Sequence, residues 1–166
     1  GVHTIAADAA AAALASAKTA AHTALTNALE TYAQGNYTVE NWTALTGFKT
    51  TGDTNIEAAV TTDAVTTAQT TATGGMTGVE TVAQTLAAYK TTKLGNLASA
   101  FDGYHSGDYT PENWTTLTGF DSAGITAIND AANLAAVDTA LSTATTAMAG
   151  VHTIAADAAA AALASA

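Results

Sequence analysis

The 166 residues carry fourteen Asp and Glu against four Lys and no Arg, a formal net charge of −10. Such a surface repels phosphates and anionic headgroups, so nucleic acid is excluded as an expected partner, and so is an anionic membrane surface. There is no cysteine for a disulfide framework, and no long uninterrupted apolar run or signal-like segment, so no membrane insertion is expected.

Residues 1–17, GVHTIAADAAAAALASA, recur letter for letter as residues 150–166, a period of 149. A recurrence of this length reads as one period of a tandem array plus the start of the next, whose units mainly touch their neighbours. A weaker repeat lies inside that period. Residues 25–60 align with 97–132 at an offset of 72, with 18 identities in 36 positions. The expected organisation is a module at 1–76, a second at 77–149, and the first helix segment of a third at 150–166.

Each module reads as three helices. The first spans about Val2 to Ala33, where Leu14, Ala17, Ala21, Leu25, Leu29 and Tyr32 recur at helical spacing. Its counterpart spans about Gly78 to Tyr104. Gln34-Gly35-Asn36 and Ser106-Gly107-Asp108 follow, and a left-handed glycine is the expected stop.

The second helix opens on the clearest motif of the chain. Tyr37-Thr38-Val39-Glu40-Asn41-Trp42-Thr43-Ala44-Leu45-Thr46-Gly47-Phe48 returns as Tyr109-Thr110-Pro111-Glu112-Asn113-Trp114-Thr115-Thr116-Leu117-Thr118-Gly119-Phe120, with ten of twelve positions identical. Thr38 and Thr110 are placed to cap the free amides of the first turn. Pro111 suits the first helical position, and Glu40 and Glu112 complement the helix dipole. Tyr37 with Trp42, and Tyr109 with Trp114, occupy the two positions of a hydrophobic staple. These helix-start tasks account for every residue without a ligand. Trp42, Leu45, Phe48, Gly52, Ile56 and Ala59 should share one face, as should Trp114, Leu117, Phe120, Gly124, Ile128 and Ala131. The glycines allow either close helix contact or a break near Gly47 and Gly119; one continuous helix is preferred.

The third helix begins after Thr61 or Asn133, with Val65, Ala68 and Ala72 facing inward in one module and Val137, Leu141, Ala144 and Met148 in the other. Gly74-Gly75 should close it in the first module, with Thr77-Gly78-Val79-Glu80 as a capping box for the next helix. Around Gly150 no stop is visible, and the spacing of Met148, Val151 and Ile154 predicts a helix running straight through the junction.

With these residues in view, the chain resembles the FIVAR ("found in various architectures") modules, three-helix units of large bacterial surface proteins. The resemblance rests on Tyr109-Thr110-Pro111-Glu112-Asn113-Trp114 and on Val137-Asp138-Thr139-Ala140-Leu141. Asn replaces the usual Ser before Trp, Val39 replaces Pro, and the first module has Val65-Thr66-Thr67-Ala68-Gln69 in the second stretch. The resemblance covers the chain as two modules. It implies an extracellular, cell-wall-linked array and no catalytic residues.

Chemistry-bearing patterns are sparse. His3, His22, His105 and His152 form no metal-ligand spacing and read as exposed helix histidines; the carboxylates are scattered. No catalytic, cofactor or metal residues are expected. Thr61, Thr62, Thr66, Thr67, Thr70, Thr71 and Thr73 make a dense hydroxyl face, read first as a hydrated surface, with O-glycosylation, sugar binding or ice binding as other uses.

The expectation is therefore an all-α chain of tandem three-helix bundles in an elongated rod. Its structural anchors are Tyr37, Thr38, Trp42, Phe48, Tyr109, Thr110, Pro111, Trp114 and Phe120. Its expected role is a stiff stalk on a cell surface, each module adding on the order of 30–50 Å, with neighbouring repeats as partners. The alternative is a binding module for a glycan or host protein, using Tyr89, Tyr104 or the threonine face.

Overall fold

A computed structural model describes residues 4–165, and among them every regular element is helical. His3 and the expected helix start at Val2 lie outside the described residues. The chain divides into two compact units, one ending at Ala83 and the other beginning at Gln84. The boundary expected after residue 76 falls within a helix that continues to Thr77.

In the first unit, α1 (Ile5–Glu30), α2 (Val39–Ala58) and α3 (Thr62–Thr77) pack against one another. Their starts follow the capping chemistry of the sequence. Thr4, Thr38 and Thr61 each accept a hydrogen bond from the amide three residues on, at 3.1–3.2 Å. The core is aliphatic, with Leu25, Leu45, Ile56 and Met76 fully buried and Val65 nearly so. Gly47 and Gly52 leave α2 continuous.

The second unit contains all but the first two residues of α4 (Val82–Phe101), with α5 (Pro111–Asp130), α6 (Leu134–Ala149) and α7 (Ile154–Ala164). Leu97 of α4, Leu117 and Ile128 of α5, and Val137 and Met148 of α6 share one core and are fully buried. Thr110 and Asn133 cap α5 and α6. Burying one such aliphatic side chain contributes roughly 1.5–3 kcal/mol.

Four expectations are corrected. No residue among those described has a positive φ, so Gly35 and Gly107 do not act as left-handed caps. α1 ends at Glu30, and Gln34–Asn36 then forms one 3₁₀ turn, closed by Asn36 N–H to the Ala33 carbonyl at 2.9 Å. Gly74-Gly75 does not close α3, which runs to Thr77. The Phe48 ring lies against Gly75, and a β-carbon there would stand 2.4 Å from that ring.

Thr77 starts no capping box. It is the last residue of α3, its hydroxyl donates to the Thr73 carbonyl, and α4 begins only at Val82. The helix does not run through Gly150 either. Gly150 caps α6, Thr153 caps α7, and the two helices meet at 55°. The apolar spacing that suggested continuity has another cause: Val151 turns back onto the core of its own unit.

Candidate functional site

In each unit the motif builds an aromatic ladder at the start of the second helix. Tyr32, Tyr37 and Trp42 follow one another at ring-centroid distances of 6.1 and 6.2 Å, and Tyr104, Tyr109 and Trp114 at 6.2 and 6.1 Å. These spacings suit tilted and edge-on packing of aromatic rings. The staple is thus present twice. Tyr109 is buried and its phenol pKa is pushed up by that burial; Tyr37, Trp42 and Trp114 are half-buried. Pro111 occupies the first turn of α5, where no amide hydrogen is needed.

Phe48 and Phe120 depart from the expected inward face, being 41% and 37% exposed. The deep core is left to Leu45, Ile56 and their repeats. Phe48 lies over Gly75; at the position aligned with Gly75 the second unit has Ala147.

The residue before Trp has a task the sequence does not disclose. Asn41 Nδ2 donates to the Glu80 carbonyl at 2.8 Å, and Asn113 Nδ2 donates to the His152 carbonyl at 2.9 Å. Both acceptors lie 39 residues downstream, in the chain leaving the third helix. That exit is otherwise built alike in the two units. Gly78 and Gly150 donate to carbonyls of the preceding turn, Val79 N–H bonds Met76 O, and Val151 N–H bonds Met148 O. Val79 and Val151 each pack on their own unit's core. In the second unit the corner is tied further by His152 Nδ1 and Asp157 Oδ1 at 3.1 Å. An open groove of about 450 Å³ beside it is lined by Asn113, Phe120, Gly150, Val151 and His152 among others.

Polar side chains join the helices differently in each unit. In the first, His22 of α1 faces Asp53 and Glu57 of α2 at 2.7 and 2.9 Å, and Lys49 reaches Asp53 at 2.7 Å. In the second, Lys93 of α4 pairs with Asp138 of α6 at 2.8 Å, and the Tyr89 hydroxyl donates to the same carboxylate. The Lys93 hydrogen bond, then that of Tyr89, holds Asp138 below the usual carboxylate range. One contact is shared: Lys18 donates to the Glu57 carbonyl and Lys90 to the Asn129 carbonyl, at positions 72 apart. Among the described residues no group of three or more His, Cys, Asp or Glu stands in metal-binding geometry.

The groups suggested for ligand binding are engaged within their own unit. Tyr89 bonds Asp138 and has Lys93 Nζ 4.8 Å from its ring centre, and Tyr104 packs at a tilt against Tyr109. On α3, Thr66, Thr67, Thr70 and Thr73 turn their hydroxyls onto carbonyls one turn back, at 2.7–3.1 Å. Their donors are used by the helix itself. Searches of protein-family models, curated proteins and solved structures return no match for this chain.

Proposed function

We propose that this chain is a structural repeat of an extracellular, cell-surface protein: tandem three-helix bundles forming a stalk that projects other domains. The observation that carries this reading is the corner made twice, in which Asn41 and Asn113 hold the departing chain at Glu80 and His152. A unit that fixes the direction of the next segment with its own signature residue is suited to setting reach. Placement at a cell surface and kinship with FIVAR modules rest on the motif at 109–114 and the tandem recurrence. The break at Gly150 supports joints stiffened by cross-ties, with no helix shared across the junction.

Small-angle scattering on chains of one, two and four 149-residue periods tests this. The maximum dimension should grow by a constant step per period. A dimension that saturates as periods are added defeats the stalk.

A binding module for a glycan or host protein is favoured by one observation, the groove beside Phe120 and His152. Titration against glycan and matrix-protein panels should give flat curves for a stalk and saturable ones for this second reading.

A further inference from the structure

We infer that the first unit contains a pH-sensitive clasp, in which His22 of α1 grips α2 through Asp53 and Glu57 only while its ring carries both protons. The geometry is specific. Nδ1 lies 2.7 Å from Asp53 Oδ1, and Nε2 lies 2.9 Å from Glu57 Oε1. An ionised carboxylate can only accept, and a neutral imidazole offers a single N–H. Both contacts together therefore require the imidazolium. Loss of one proton leaves a nitrogen lone pair against a carboxylate oxygen, and one of the two grips opens.

The groups around the ring favour its charged form. Asp53 and Glu57 stand one turn apart on the same face of α2. Lys49, one turn before Asp53, holds that carboxylate's other oxygen at 2.7 Å. From α1 itself, Lys18 bonds the Glu57 carbonyl. α3 carries one ionisable residue, Asp63, in its first turn, and it makes no ion pair with the ring. The Asp53 hydrogen bond is the main cause of a His22 pKa above the ordinary imidazole value; it outweighs partial burial, which pulls the other way, and Glu57 adds to it. Partial burial works to raise the Asp53 pKa, but Lys49 and then His22 overcome it and hold the carboxyl below the usual range.

The signs follow. Stability from a raised His22 is complete below the unfolded value of about 6.5 and is lost as pH rises through the folded value. Stability from a depressed Asp53 is present above its unfolded value and is lost as pH falls through the folded one. The clasp is closed in mild acid and loosens toward alkaline pH.

The second unit is an internal control. Seventy-two residues on, His22, Asp53 and Glu57 become Leu94, Ile125 and Asn129, none of which titrates. Leu94 packs on its core, so an apolar seam is compatible with the fold. The histidines of that unit, His105 and His152, do not bridge α4 to α5.

The test uses the full 166-residue chain. His22 is titrated by proton–nitrogen NMR, and amide exchange, corrected for its intrinsic pH dependence, is followed from about pH 5 to about pH 8. Expected are a His22 midpoint above the ordinary value and a several-fold loss of protection at Leu25 and Ile56, with Leu97 and Ile128 unchanged. His22→Leu, which copies the second unit, should abolish the difference while keeping the helical signal. A midpoint at or below the ordinary value, equal loss in both units, or a pH response that survives in His22→Leu overturns the clasp.

Discussion

Gly52 and Ala72 bring α2 and α3 so close that a β-carbon on the glycine would stand 2.5 Å from the alanine methyl. The approach recurs between Gly124 and Ala144, again at 2.5 Å. Leu25 and Leu97 close these contacts from the third side, at 2.8 and 3.0 Å. An Ala-rich chain with few large side chains packs by such approaches, with each glycine set against an alanine.

Gly52→Ala should therefore destabilise the first unit. Overpacking costs about 1–3 kcal/mol, of which better helix propensity returns about 1 kcal/mol. Gly47→Ala, with nothing within 4 Å of the added carbon, should gain up to about 1 kcal/mol. Thermal unfolding followed by circular dichroism should move in opposite directions for the two variants; a shift of the same sign for both contradicts this packing.

Gly75→Ala is expected to behave differently from Gly52→Ala despite a similar clash. The obstructing group is the half-exposed Phe48 ring, which can swing aside, and the second unit already has Ala147 at the aligned position. The change in stability should stay within about 0.5 kcal/mol. A loss as large as that of Gly52→Ala shows that the Phe48 seat is essential.

Val39→Pro should stabilise the first unit by about 0.4–1 kcal/mol. Thr38 has the extended backbone that must precede proline, with φ −67° and ψ 163°, against −67° and 158° for Thr110 before Pro111. Thr38→Ala should cost about 1 kcal/mol through loss of the cap. Denaturant titration read through Trp42, with Trp114 replaced by Phe, reports this unit alone.

Asn113→Ala should cost little overall stability, roughly 0.5–1 kcal/mol, because its hydrogen bonds to the His152 carbonyl and, at 3.4 Å, to Asp157 Oδ2 are solvent-exposed. Its main effect falls on the chain after Gly150, where amide exchange at Val151 and His152 should quicken while Leu117 stays protected. Unchanged exchange at both residues removes the proposed task of the motif asparagine.

Helix starts were legible because their chemistry is local: Thr38, Thr61, Thr110 and Asn133 each act within three residues of themselves. The staple partners Tyr37–Trp42 and Tyr109–Trp114 were legible for the same reason. Helix ends were less so. Gly74-Gly75 resembles a stop, yet the helix runs on, and the side chain that lies over Gly75 is Phe48 of another helix. The exit at Gly150 was hidden because Val151 continues the apolar spacing while folding back onto its own core. The His22 cluster joins residues 31 and 35 positions apart. Its one local trace is Lys49, Asp53 and Glu57 at four-residue intervals, a charged stripe too ordinary to single out.

The most direct test of a direction-setting repeat is the angle at the second corner. The chain has no cysteine, so spin labels can be attached at Ser142→Cys on α6 and Ala158→Cys on α7 without background. Double electron–electron resonance should give one narrow distance distribution that broadens when Asn113→Ala is added. A broad distribution in the parent chain, unaffected by Asn113→Ala, would mean that the corner fixes no direction and that the repeat cannot serve as a stalk in this way.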